Sequence, residues 1–381
     1  MAEDLIGQLA SISDNDLPLA ARLREAIRTN GPMTFRDWMQ AALYDEREGY
    51  YNRIDLARWG RSGDYRTSPE RSPLFAATFA GYFAKLFEEL GSPNDFVLYE
   101  VGAGAGHFAL GVLETLARKH KRVYDSTRYV IAERSSASRH QTAALIKQSG
   151  QQHHRRVEFA PCGTVEIENG IIFANELLDA LAVHRVRVIK GFLCEQFVDV
   201  NRIGEFVFID REPSTPRLEE NLRRFGATLC EGQSAEVNLD AEEWVKTVAA
   251  MLKRGFVIAV DYGAEAQELY DPAIRPHGTL RSFRRHELCE NVLARPGDQD
   301  ITSHVNWTQL MLAGDDANLK LKEFKRQDQF LLGAGILDEL ESLTSSNAGV
   351  ANIVSLRLDV RELIMPELMS ASFQVLVLEK P

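Results

Sequence analysis

Three glycines at alternate positions, Gly102, Gly104 and Gly106, follow Glu100 at the end of the apolar run 96–99. Bare backbone of this kind turns sharply and lets a ligand reach main-chain atoms without meeting a Cβ. The helical pattern resumes at Phe108, so the first helix N–H groups point toward whatever sits on the turn. A carboxylate at position 100 would hold a ligand's ammonium and repel a pyrophosphate. Two further groups carry compatible chemistry. Glu133 ends the apolar run 128–132, where an acid at the tip of a second parallel strand accepts both hydroxyls of a ribose, although a helix N-terminal acid favoured by the dipole is the simpler alternative. Asn175, Glu176 and Asp179 follow the run 170–174 at a strand's carboxyl end. On a helical turn Glu176 and Asp179 would share one face, while Asn175 or Asp179 could instead cap a helix.

Two ligand classes fit the turn. Counted from Gly104, the residues satisfy the G-x-G-x-x-A variant of the dinucleotide fingerprint, which would suit an NADP-dependent oxidoreductase. Counted from Glu100, they are similar to the acid-x-G-x-G-x-G pattern of class I S-adenosylmethionine (SAM) methyltransferases. The second reading is preferred because of Glu100. No Lys follows the glycines, so the P-loop spacing is absent.

The elements that must position these groups follow from periodicity. Helical spacing recurs over 17–29 and 34–44, with Thr34 placed as an N-cap, and over 74–90. Between them lies an aromatic and arginine-rich loop containing Thr67, Ser68, Pro69 and Glu70. Strands are expected at 96–101, 128–133, 157–160, 170–174 and 256–260, with 319–324 and 373–378 as the last two. The runs 186–189, 195–200 and 206–209 alternate around turns, an antiparallel departure from the βαβ rhythm. The fold expected is α/β, a Rossmann-like and mostly parallel sheet. An N-terminal helical extension with a lid loop spans 1–95, and the sheet domain 96–381 carries insertions at about 184–235 and 264–306, after its fourth and fifth strands.

Composition narrows the function classes. The chain has 381 residues, with 44 Lys and Arg against 55 Asp and Glu for a net charge of −11. That balance argues against broad binding to nucleic acid or anionic membranes. Cys162, Cys194, Cys230 and Cys289 show no C-x-x-C or Cys/His ligand spacing, which points to reduced thiols and no zinc site. The N-terminal residues have neither signal-peptide nor transit-peptide character, and no apolar run reaches membrane-span length. A cytoplasmic protein is expected, with its oligomeric state open.

Several ordered landmarks extend the pattern: Gly49-Tyr50-Tyr51, Gly63-Asp64 with Thr67-Ser68-Pro69-Glu70, Glu100 with its glycines, Asn175-Glu176 with Asp179-Ala180-Leu181, and Asp261-Tyr262-Gly263. Gly278-Thr279-Leu280, Pro296-Gly297 and Asp300 to Val305 follow. Over most of its length the chain resembles the MidA-like methyltransferases, whose eukaryotic members are mitochondrial complex I assembly factors that methylate an arginine on a complex I subunit. It departs from the family pattern at Ala103, Ala105, Ala182 and Asn306. The resemblance implies SAM as cofactor, a protein arginine as acceptor, and no metal. SAM would then lie over Gly102, Gly104 and Gly106, with Glu100 near its ammonium, Glu133 on its ribose and Asn175 beside it. Glu176, Asp179 and Glu70 are the expected catalytic carboxylates. Thr67, Ser68, Pro69 and His304 are expected to line the acceptor. A SAM-fold assembly factor that binds its partner without transferring methyl is the other reading.

Overall fold

The apolar run before the glycines forms strand β1 (Phe96–Val101), every residue of which is buried. The computed structural model describes residues 18–53, 56, 72–284, 287–345, 350–365 and 372–381. These fall into two compact units interleaved along the chain.

One unit comprises the described residues of Met1–Arg58 together with Ala180–Asp240 and Ala264–Asn306. The expected N-terminal helices are Pro18–Asn30 and Phe35–Tyr44, the second capped by Thr34, whose side chain accepts from Asp37 N at 3.1 Å. Strands His184–Ile189, Phe192–Val200, Phe206–Arg211 and Ser234–Val237 pair antiparallel, with Met33–Thr34 added against Phe192–Val200. The antiparallel insertion read from the sequence is therefore present. Lys190 and Gly191 turn its first hairpin with positive φ at both residues, a backbone that matches strand twist. Phe35 and Trp38 pack on Phe208 and Phe206.

The other unit contains the parallel sheet. After β1 come β2 (Thr127–Ala132), β3 (Val157–Phe159), β4 (Ile167–Asn175), β5 (Leu252–Ala264), β6 (Lys320–Arg326) and β7 (Phe373–Lys380). Their order is β3-β2-β1-β4-β5-β7-β6, parallel from β3 through β5, with β7 antiparallel to both neighbours. The chain thus builds outward from β1 to β3, then restarts on the other side of β1 with β4. That reversal opens a crevice outside the carboxyl ends of β1 and β4, where ligands bind in open α/β sheets.

Helices α1 (Pro73–Glu89) and α2 (His107–Lys119) share one core with Leu98, Tyr129, Ile131 and Phe173. Ser72 caps α1 and Pro73 occupies its first turn, where a missing N–H costs nothing. Because α1 belongs to this core, the boundary expected near residue 95 falls inside the unit, and the sequence pattern of α1 marks a helix buried on most of its surface. The two insertions and the N-terminal helices instead form the first unit together. Helix α3 (Ser136–Ser149) follows β2.

Candidate functional site

The glycine turn leaves β1 at the crevice. Gly102, Gly104 and Gly106 all have positive φ, at 76°, 54° and 83°, a region that L side chains avoid. A Cβ on Gly106 would lie 2.6 Å from Thr142 Cγ2, and one on Gly102 would reach Leu177 Cδ1 at 3.0 Å. Thr142, buried on α3, donates to Gly104 O at 3.0 Å. Gly102 N donates to Ala132 O at 2.9 Å, which joins the turn to the end of β2.

Glu133 completes this bracing. Its Oε2 accepts from Gly104 N at 3.1 Å and its Oε1 from Ser135 N at 2.8 Å. These two bonds fix the plane of the carboxylate and tie the start of α3 to the glycine turn.

Glu100 lies against the turn and is 5% exposed. Its Oε2 accepts from the hydroxyl of Tyr129, on β2, at 2.7 Å. Burial pushes its carboxyl up to about 7, opposed by the Tyr129 hydrogen bond and reinforced by the charge of Glu133. Such a group is close to ionisation balance at neutral pH, and a ligand's ammonium would draw it to the charged form.

Across the crevice, β4 ends at Asn175. The Asn175 Nδ2 donates to Glu176 Oε1 at 3.2 Å, while its Oδ1 is buried without a hydrogen-bond partner among the described residues. Buried polar atoms in that condition are rare without a bound group to serve them. Glu176 has φ +50°, a strained conformation for a residue with a Cβ, and its N–H donates to Val260 O at 2.9 Å on β5.

The segment from Glu176 to Asp179 is an irregular bend, not the helical turn that would place both acids on one face. Its conformation is set from β5. Asp261, 0% exposed, accepts through Oδ2 from Leu178 N at 2.9 Å and Asp179 N at 3.2 Å, and through Oδ1 from Tyr262 N at 2.9 Å. The Tyr262 hydroxyl donates to Asp179 Oδ2 at 2.5 Å. Burial first, and then the charges of Asp179 and Glu176, raise the Asp261 carboxyl well above the ordinary range. Glu176, Asp179 and Asp261 thus gather three carboxyl groups at the carboxyl ends of β4 and β5. Sequence reasoning marked Asp261 and Tyr262 only as landmarks. The signal available was an acid at the end of a buried strand, the same signal that singled out Glu133.

His304 belongs to the other unit. There its N–H donates to Thr279 Oγ1 at 3.0 Å, and burial followed by the charges of Arg275 and Arg281 pushes its imidazole down to about 4. Several landmarks of that unit hold its loops together. Glu236 accepts from Thr279 N at 2.6 Å, and Tyr51 donates to Asp300 at 2.8 Å. A Cβ on Gly297 would lie 2.2 Å from Glu48 O. Thr67, Ser68, Pro69 and Glu70 lie outside the described residues. Among the described residues no group of three His, Cys, Asp or Glu side chains is arranged to hold a metal, and no helix is long and apolar enough to cross a membrane.

The site fits a ligand with a cationic amino-acid end and a ribose, with a glycine cradle, an orphaned Asn175 oxygen and acids at both strand tips. Residues 78–325 match the family described as "Putative S-adenosyl-L-methionine-dependent methyltransferase". A crystal structure from Burkholderia thailandensis, of a protein bound to S-adenosyl-homocysteine, is 31% identical with a TM-score of 0.85, covering 95% of this chain and 91% of that one. Among curated relatives, the Drosophila melanogaster protein arginine methyltransferase NDUFAF7 homolog is 28% identical over 317 residues, 76% of this chain and 68% of its own. The human protein arginine methyltransferase NDUFAF7 is 24% identical over 342 residues, 84% and 74% of the respective chains. The overlapping dinucleotide fingerprint is then a coincidence of glycine spacing. The chain belongs to the MidA-like family and is a SAM-dependent methyltransferase, with S-adenosyl-L-methionine as its cofactor.

Proposed function

We propose that the chain methylates an arginine side chain of a protein partner, and that Glu176 and Asp179 receive the guanidinium. The observation that carries this is the gathering of Glu176, Asp179 and Asp261 where β4 and β5 end, across the β1/β4 crevice from the glycine turn. The curated relatives named as protein arginine methyltransferases support the same acceptor. By the family resemblance, a respiratory complex I subunit is the specific partner proposed. The described cysteines are all free thiols, which fits a reducing compartment such as the cytoplasm.

SAM supplies a methyl group on a sulfonium. A guanidinium is protonated in water and would be repelled by that charge. Glu176 and Asp179 offset the repulsion and fix the planar fork. Tyr262 holds one Asp179 oxygen, and Asp261 holds the backbone of the turn that carries both acids. As the new N–C bond forms and the C–S bond breaks, one guanidinium proton passes to a carboxylate of this pair. Glu100, Glu133 and Asn175 are assigned to the cofactor, and the glycine turn to its amino-acid end. Alignment and exclusion of water then provide most of the acceleration. Glu70, with Thr67, Ser68 and Pro69, is proposed to reach the acceptor from the N-terminal loop, and His304 to contact the partner protein.

The test is transfer of labelled methyl from SAM to an arginine-bearing partner, with Glu176→Gln beside the wild type. Retained binding of S-adenosyl-homocysteine with lost transfer is expected. Unchanged turnover would remove Glu176 from the mechanism.

A further inference from the structure

Glu100 is a buried carboxyl on the face of β1 that packs under α2, with Leu98 and Phe173 in the same core. A carboxylate has about four acceptor positions, yet among the described residues its one hydrogen-bond donor is the Tyr129 hydroxyl, at 2.7 Å. Tyr129 is itself 1% exposed, and its ring is fixed by the β1/β2 register that sets Leu98 opposite Tyr129 and Glu100 opposite Ile131. The hydroxyl therefore approaches Glu100 from the β2 side and ties down Oε2. This leaves Oε1 as the oxygen for a second, cationic donor. A single neutral donor does not offset the burial of a charge. The pair is incomplete without such a cation.

We infer that Tyr129 is a positioning residue for the cofactor: it orients Glu100 so that Oε1 faces the ammonium of the ligand's amino-acid end. The inference rests on the assignment of Glu100 to that ammonium and is independent of the methyl acceptor. The Tyr129 hydroxyl has no other hydrogen-bond partner among the described residues, so Tyr129→Phe removes one atom and keeps the ring in its core.

Two ligands separate positioning from general damage. S-adenosyl-homocysteine carries adenosine, sulfur, ammonium and carboxylate, whereas 5′-methylthioadenosine carries adenosine and sulfur without the amino-acid end. Titration calorimetry of full-length wild type, Tyr129→Phe, Glu100→Gln and the double variant with both ligands reads the effect. Tyr129→Phe is expected to weaken S-adenosyl-homocysteine about tenfold or more, as for loss of a hydrogen bond to a charged group, and to leave 5′-methylthioadenosine within about twofold. Glu100→Gln should show the same selectivity, and adding Tyr129→Phe to it should cost little more, because both changes act on one interaction. Equal weakening of both ligands by Tyr129→Phe would make the hydroxyl merely structural and overturn the inference. Selective weakening by Glu100→Gln but not by Tyr129→Phe would keep the ammonium assignment and remove Tyr129. No selectivity in either variant, or a wild type that binds neither ligand, would overturn both. Should Tyr129→Phe fail to fold, Tyr129→Leu, which also removes the donor, is the second variant; selective loss there sustains the inference, and equal loss or no loss overturns it.

Discussion

Replacing Gly106 with alanine tests whether the cofactor turn is held by packing as well as by backbone conformation. At φ 83°, a left-handed alanine costs roughly 1–2 kcal/mol. The new Cβ would also lie 2.6 Å from Thr142 Cγ2 and 2.9 Å from its Oγ1. Thr142 is fully buried and donates to Gly104 O, so it cannot swing aside without breaking the bond that fixes the turn. Overpacking of this kind adds about 1–3 kcal/mol. Gly31 supplies the control, since its φ is 86° and a Cβ there meets nothing within 4 Å. Gly31→Ala should lose only the conformational part. Any gain from restricting the unfolded chain is common to both substitutions and cancels in the comparison. Urea unfolding should therefore find Gly106→Ala less stable than Gly31→Ala by about 1–3 kcal/mol, with S-adenosyl-homocysteine binding weakened only in the former. Adding Thr142→Ala to Gly106→Ala should recover part of the stability difference. Equal costs at the two glycines, or no recovery, would refute the packing argument.

Glu176→Gln and Asp179→Asn should each lower kcat by about a hundredfold, the scale of losing one preorganised electrostatic contact, with S-adenosyl-homocysteine affinity within about twofold by calorimetry. Tyr262→Phe, which removes the 2.5 Å bond to Asp179, should lower kcat by about tenfold, and steady-state kinetics on the methylated partner would show it. Glu100 predicts a pH dependence. Its folded carboxyl is pushed up to about 7, above its ordinary value of 4.5, so the folded state keeps a proton that the unfolded chain has released. Stability should fall as pH rises through that window, by about 3 kcal/mol from this group. Urea midpoints at pH 4.5 and pH 8 should separate less in Glu100→Gln, and an unchanged separation would contradict the shift.

The sheet and the glycine turn were readable because they are local. A buried six-residue strand that carries an acid, followed by alternating glycines, specifies a strand, a turn and a helix start without help from the rest of the chain. The position of Glu133 was readable for the same reason, since it directly follows a buried strand. The antiparallel insertion declared itself through period-two alternation. What escaped was set by contacts distant in sequence. For the Glu176–Asp179 segment spacing is all that the sequence offers, and it left a shared helical face and a helix cap both open, whereas Asp261 clamps the N–H groups of Leu178 and Asp179 from β5. The tie between Glu100 and Tyr129 depends on β1/β2 register, and the first unit unites three separated segments. The roles of Gly278-Thr279 and Pro296-Gly297 belong to that unit's loops, where Glu236 and Glu48 approach the backbone.

The most direct measurement is a crystal structure of the protein soaked with S-adenosyl-homocysteine. The account predicts density with the amino-acid end over Gly102 to Gly106, its ammonium against Glu100, its ribose against Glu133 and its sulfur facing the turn that carries Glu176 and Asp179. Ligand bound elsewhere, or a glycine turn left empty at saturating concentration, would contradict it.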